Sequence, residues 1–321
     1  MIEPVRFTPW LRGVALKYLV PAWFLIFALV HVMDIVPEGR LGFDGRIYHR
    51  AAAAWLGGMD PWKTGISLPE GTYHFAGLPP TVLAFVPTTV VPESVFGALS
   101  FVFSAAAAIW IVQKLRLPWS WLLFPPLVQG VLLGQPGIAV LALLLTAHPA
   151  AEALAAAFKV YALIPLLASR RATGILVFLV ATGLSIVLFP GLWFLWVSQG
   201  AAVASRLVGE AAGGVGATAH WWLLAPTVAA IGVIAILDTR AAGWLAVPAL
   251  WPSAQYHYPV MALPAIRILP ALVFSIPILG MPAVAVILHA WLMLYDRFVR
   301  REQGRSMLNG PSRVRVDRNL A

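Results

Sequence analysis

Residues Val14 to Val36, VALKYLVPAWFLIFALVHVMDIV, carry one lysine and one aspartate in 23 positions, both near the ends of the run. About 20 apolar residues are enough for an α-helix to cross the hydrocarbon core of a bilayer, so the stretch reads as a membrane span. It is too long for a signal-peptide core and lacks a small-residue cleavage site, which makes it a retained first span. The same reading extends to the whole chain. Its 321 residues are 60% hydrophobic and 11% charged, with a mean hydropathy of +0.84, where a soluble domain carries about 25% charged residues. In lipid, only helices and closed barrels satisfy the backbone. The apolar runs are long, rich in Leu, Ala and Val, and do not alternate strictly, which selects helices.

The expected fold is therefore an all-α, polytopic transmembrane bundle: one unit over residues 1–298 and a basic tail over 299–321, expected to be disordered. Arg6, Arg12 and Lys17 precede or open the first span and place the N-terminus inside. The polar stretch from Pro37 to about Pro79 then lies outside. Within it, Ile47 to Leu56 is expected to form an amphipathic interfacial helix, stopped by Gly57-Gly58. Trp55, Trp62 and Tyr73 are expected at headgroup depth. Further apolar segments give about ten spans, several of them short. Pro79-Pro80, Pro125-Pro126 and Gly134-Gln135-Pro136 interrupt them, and broken helices in membranes line cavities or are buried in protein. Arg170-Arg171 and Asp238–Arg240 read as inside turns and Gln199–His220 as an outside loop. This count leaves Lys114 and Arg116 outside, against the charge rule.

The formal charge of +9 is not a nucleic-acid signal. From Arg297 to Ala321 seven arginines face Glu302 and Asp317, a net +5, so most of the excess is one tail suited to anionic lipid. The absence of cysteine removes disulfides, thiolate metal sites and cysteine nucleophiles. The histidines share no metal-ligand spacing, and there is neither a phosphate-cradling glycine loop nor a nucleophile elbow. No metal and no cofactor is expected.

Few acids exist to carry chemistry. Asp44, in Phe43-Asp44-Gly45-Arg46-Ile47-Tyr48-His49-Arg50, closely follows the first span at the mouth of the bundle. A neighbouring cation such as Arg46 can hold it ionised as a general base; alternatively it caps the helix expected from Ile47. The group Ser253, Gln255, Tyr256, His257 and Tyr258 is either an interfacial aromatic loop or a substrate pocket. Lys159 and Arg267 lie among apolar residues, where a cation meets a lipid phosphate or marks a membrane edge.

The order of these motifs resembles a known family. A first span is followed by Phe43-Asp44-Gly45-Arg46-Ile47-Tyr48, an alanine-rich helix ending in Gly57-Gly58-Met59-Asp60-Pro61-Trp62, then Pro79-Pro80, Gly134-Gln135, Phe158-Lys159, Pro252-Ser253 and Tyr256-His257. From about Trp23 to Pro264 this is similar to the GT-C glycosyltransferases, specifically the polyprenol-phosphate-mannose-dependent mannosyltransferases of glycosyltransferase family 87. The chain departs from that pattern at Leu78, at Tyr256-His257 where paired histidines are common, and in its shorter length. The resemblance implies a polyprenyl-phosphate-linked sugar donor, a glycolipid or glycan acceptor, and an active site on the outer face of the cytoplasmic membrane. It implies Asp44 as base and His257 as a second catalytic group. Lys159 would lie near the donor phosphate, joined on our reading of the residues by Arg267. Arg46, Tyr48, Gln135 and Tyr256 complete the expected substrate set. Membrane lipids are the other expected partners. A transporter, a flippase or a lipid-binding scaffold are the alternatives; the first two predict inverted repeats and acids deep within spans.

Overall fold

The computed structural model describes residues 15–69, 71–212 and 215–308. Arg6, Arg12 and most of the basic tail lie outside the described residues. The chain is mostly helical, with fifteen α-helices among the described residues. Three of these are long and apolar enough to cross a membrane: Lys17–Ile35, Glu93–Lys114 and Met281–Val299. Counting each of two bent helix pairs as one crossing raises the number to five. That is fewer than the ten spans expected, because proline and glycine cut the apolar runs into short helices. Many of these helices turn large apolar side chains outward, among them Phe103, Val187, Phe194 and Ile236. Outward apolar faces of this extent are what a surface against lipid requires.

We label the elements used below in chain order. They are α1 (Val20–Ile35), α2 (Phe43–Leu56), β1 (Gly65–Leu68), β2 (Gly71–His74) and α3 (Pro79–Phe85). There follow α4 (Glu93–Lys114), α5 (Pro125–Leu133), α6 (Pro136–Leu145), α7 (Pro149–Phe158) and α8 (Leu163–Ala168). The remainder are α9 (Ala172–Leu188), α10 (Pro190–Ser198), α11 (Gly200–Ala212), α12 (Trp221–Leu237), α13 (Thr239–Leu250), α14 (Ile268–Phe274) and α15 (Met281–Leu308).

Several expectations change. The interfacial helix starts at Phe43 rather than Ile47, so Asp44 falls inside its first turn. The loop expected to lie outside is not purely helical: β1 and β2 form a two-stranded antiparallel hairpin pairing Ile66 with Tyr73. Trp62 is fully buried, donating its indole N–H to the Gly77 carbonyl at 2.9 Å, so it is a core anchor and not a headgroup residue. The supposed loop 199–220 contains α11. The last helix continues to Leu308, past the boundary drawn at residue 298.

The two ends of the molecule differ in charge. Arg50 on α2 grips Glu93, the first residue of α4, with two bonds of 3.0 and 2.8 Å. Twenty-one residues later, about 32 Å along the axis, α4 ends at Lys114. That far end also holds the start of α1, where Phe24 packs on Trp121 and Phe124. Lys114 and Arg116 therefore share an end with Lys17, which removes the conflict with the charge rule. Arg171 joins them in sense, because it binds the carbonyl of Leu144 at the end of α6 remote from Gln135.

Glycine sets how closely α2 approaches its neighbours. Gly42 has φ +65°, and a Cβ there would overlap the carbonyl of Gly97 on α4. A Cβ on Gly45 would strike Ser100, and Gly134 (φ +62°) lies against both Ser100 and Gly42. The backbone N–H of Gly42 donates to Leu132 at 2.8 Å, tying α2 to the end of α5. Gly39 has the same φ of +65° but open space around it. We expect Gly39→Ala to lower stability by about 1–2 kcal/mol, the cost of the left-handed conformation alone. Gly42→Ala should lower it by several times that amount. Chemical unfolding in detergent would show the gap, and equal losses would refute the close-packing account.

Candidate functional site

The site forms where α2 meets the break between α5 and α6. The two halves of this apolar pair are bent by 116°. Gly134 in the left-handed conformation ends α5, and Pro136 opens α6. Between them Gln135 is 5% exposed. Its amide N–H donates to Oδ2 of Asp44 at 2.7 Å, and its amide oxygen accepts the Gly137 N–H at 3.4 Å. Asp44 does not cap its helix: the N-cap is Gly42, with no side-chain cap bond. Its carboxylate instead reaches across 91 positions of sequence to Gln135. It lies in the first turn of α2 and meets the residue that opens α6, so two helix N-termini favour its negative charge, each by roughly 0.3–1 kcal/mol.

One turn along α2, Tyr48 is buried and lies beside Lys159. The ammonium is 5.4 Å from the Tyr48 ring centre and hydrogen-bonds to its phenol. Lys159 sits in extended backbone where α7 ends, a position that lets the side chain turn inward. The phenols of Tyr48, Tyr258 and Tyr161 surround the ammonium. Tyr161 closes the circuit. A Cβ on Gly137 would lie 3.0 Å from its hydroxyl, which places that phenol close beside Gln135. The Tyr161 ring packs on Tyr258 at 5.2 Å, and Tyr258 on His257 at 4.9 Å.

His257 is 4% exposed, and its Nδ1 has no hydrogen-bond partner. Burial, with the nearby Lys159 charge and His31, pushes its pKa down to about 3. It is therefore a neutral imidazole able to donate or accept a hydrogen bond, and cannot serve as a cation for a phosphate. Its neighbour Tyr256 faces the ring of His31 at 6.3 Å.

The structure thus brings Asp44, Tyr48, Gln135, Lys159 and His257 into one region. Two expected members behave differently. Arg46 lies over the Phe43 ring, lays its aliphatic arm on Gly97 and reaches the Gly39 carbonyl at 3.5 Å. Arg267 is elsewhere: it pairs with Asp296 on α15 at 2.8 Å. It precedes α14, whose Leu272 carbonyl accepts from Trp23 near the start of α1, so it belongs to the end remote from Asp44. An acid 29 positions away had already satisfied its charge, and no local pattern reveals that.

Sequence reasoning missed Tyr161 as a member of the cluster, while Tyr258 belonged to the group read as a possible substrate pocket. The signal for Tyr161 was a phenol two residues from a half-buried lysine. It also missed Glu152, 3% exposed on α7 and paired with Arg171 at 2.5 Å. Arg171 binds the Leu144 carbonyl as well, which makes this buried acid a clamp across helices. Comparison with family models, with characterised proteins and with solved structures gave no match for this chain. What the geometry offers chemically is a fixed carboxylate, a shielded ammonium among phenols and a neutral imidazole.

The depressed pKa of His257 has a consequence for stability. An unfolded imidazole protonates near 6.5 and the folded one near 3, so between those values the unfolded chain binds the extra proton. Stability should fall as pH drops through that window, by up to about 1.4 kcal/mol per pH unit from this residue. His257→Gln should flatten the slope of unfolding free energy against pH below 6.5; an unchanged slope would count against a neutral buried imidazole.

Proposed function

We propose that this chain is a membrane glycosyltransferase of the GT-C type. On this reading it moves a sugar, mannose by the resemblance, from a polyprenyl-phosphate donor to a glycolipid or glycan acceptor. The carrying observation is the Asp44 carboxylate held by Gln135 in the same cluster as the Lys159 ammonium. The short apolar helices act as half-passages that complete a bundle of about ten crossings. Lys17, Lys114, Arg116 and Arg171 share one end of the molecule, and the charge rule makes that end cytoplasmic. Both termini then lie inside and the Asp44 cluster faces outward, in the cytoplasmic membrane.

The donor's leaving group is a lipid phosphate, stable as an anion at neutral pH, so no acid is needed to protonate it. Lys159, with hydrogen bonds from Tyr48 and Tyr161, stabilises the charge that develops on the departing phosphate oxygens. Asp44 accepts the proton of the acceptor hydroxyl as its oxygen attacks the anomeric carbon. The new glycosidic bond forms as the carbon–oxygen bond to phosphate breaks, with inversion. Neutral His257 orients the sugar or a phosphate oxygen by hydrogen bonding. One carboxylate is enough, in contrast to the pair that glycosidases need.

General-base catalysis contributes about 10²–10⁴ in rate. Asp44→Asn keeps the shape and removes the base, and should lower transfer by that factor with unfolding midpoint unchanged. Lys159→Met should weaken use of the donor at least tenfold. The assay is purified protein in detergent with labelled polyprenyl-phosphate mannose, read as product or as hydrolysed sugar. Normal turnover by Asp44→Asn would remove the proposal.

A further inference from the structure

A second cation stands apart from this cluster and has no acid to neutralise it among the described residues. Arg206 on α11 is half-buried and donates one guanidinium N–H to the Trp62 carbonyl at 2.6 Å. It lines a cavity of 160 Å³ with Thr72, His74, Phe75, Ala76 and Val203. One water needs roughly 10–15 Å³ by the same measure, so the space suits a small headgroup. His74 and Thr72 have their other contacts in the hairpin: His74 Nδ1 meets the Thr64 carbonyl at 3.2 Å and Thr72 Oγ1 meets Ser67 at 3.0 Å. A half-buried guanidinium with one donor fixed, bordering a largely apolar cavity, is suited to an anion, which arginine binds through paired N–H groups.

The cavity's position says where that anion comes from. α11 follows directly on α10, and the α9–α10 pair exposes Val187, Leu188, Phe194 and Val197 at 66–75%. This is an apolar wall suited to acyl chains, and the cavity lies where it gives way to the polar hairpin. Phe75 connects the two sites, lining the cavity on one side and packing against Tyr48 at 5.3 Å on the other. We propose that the cavity binds the phosphate headgroup of an anionic lipid, and that this lipid is the acceptor. Lys159 would then serve the donor's phosphate and Arg206 the acceptor's. The acceptor role rests on the transferase reading above; the headgroup site does not.

The test uses the full chain in phosphatidylcholine nanodiscs, titrated calorimetrically with glycerol phosphate and, separately, with glycerol. Wild type should bind the phosphate and not glycerol. Arg206→Gln should lose one bound probe or weaken it at least tenfold, and Arg206→Lys should keep the site at lower affinity. Discs containing phosphatidylglycerol should suppress binding of the soluble probe, since lipid already fills the cavity. Equal binding by Arg206→Gln, equal binding of glycerol, or undiminished probe binding in phosphatidylglycerol discs would overturn the proposal. So would loss in both variants together with a lowered melting midpoint, which would make Arg206 purely structural. If the headgroup binds as stated but no donor sugar is ever transferred, the site stands and the transferase reading falls.

Discussion

The position of Asp44 depends on a gap that only glycine leaves open. α2 could not lie as closely against α4 and the α5–α6 break if Gly42, Gly45 or Gly134 carried a side chain. Their absence of bulk brings a helix N-terminus within bonding distance of Gln135. A carboxylate near hydrocarbon is costly unless paired; the Gln135 amide and two helix ends supply part of the compensation here.

The surrounding packing works to the same end. Trp62, Phe75, Tyr48 and Phe85 form a continuous aromatic block under the outer loop, and Arg50 locks α2 to Glu93 and to the Gly65 carbonyl of the hairpin. Thr81, at the double proline, binds the Ala157 carbonyl at 2.5 Å, which anchors the end of α7 just before Lys159. Apart from those of Tyr48, these contacts fix neighbours of the cluster rather than its members.

Much of this was readable from the residues and some of it was not. Asp44 and Lys159 stood out as charges beside or among apolar runs, each with a bland alternative, and Gln135 came from the break at Gly134-Gln135-Pro136 and from the resemblance. The helical class followed from hydropathy alone. The span count did not follow, since whether Pro136 or Phe189 kinks a helix or reverses it depends on tertiary contacts. Arg267 misled because its partner, Asp296, sits on another helix. The hairpin over residues 65–74 was hidden by its brevity and its polar, glycine-flanked strands. The role of Gly42 was equally invisible: a glycine announces freedom of backbone, while the carbonyl of Gly97 facing it appears only in three dimensions.

The antiparallel helices α6 and α7 carry a final implication. Gln135 precedes one arm and Lys159 ends the other, so the amide that holds the base and the ammonium sit at the open tips of a single helical hairpin. Near its closed end Arg171 clasps both arms, through the Leu144 carbonyl and Glu152. The hairpin therefore behaves as a caliper whose jaw width is fixed from the opposite side of the molecule. Loosening the clasp would let the distance between the two tips vary without touching either of them.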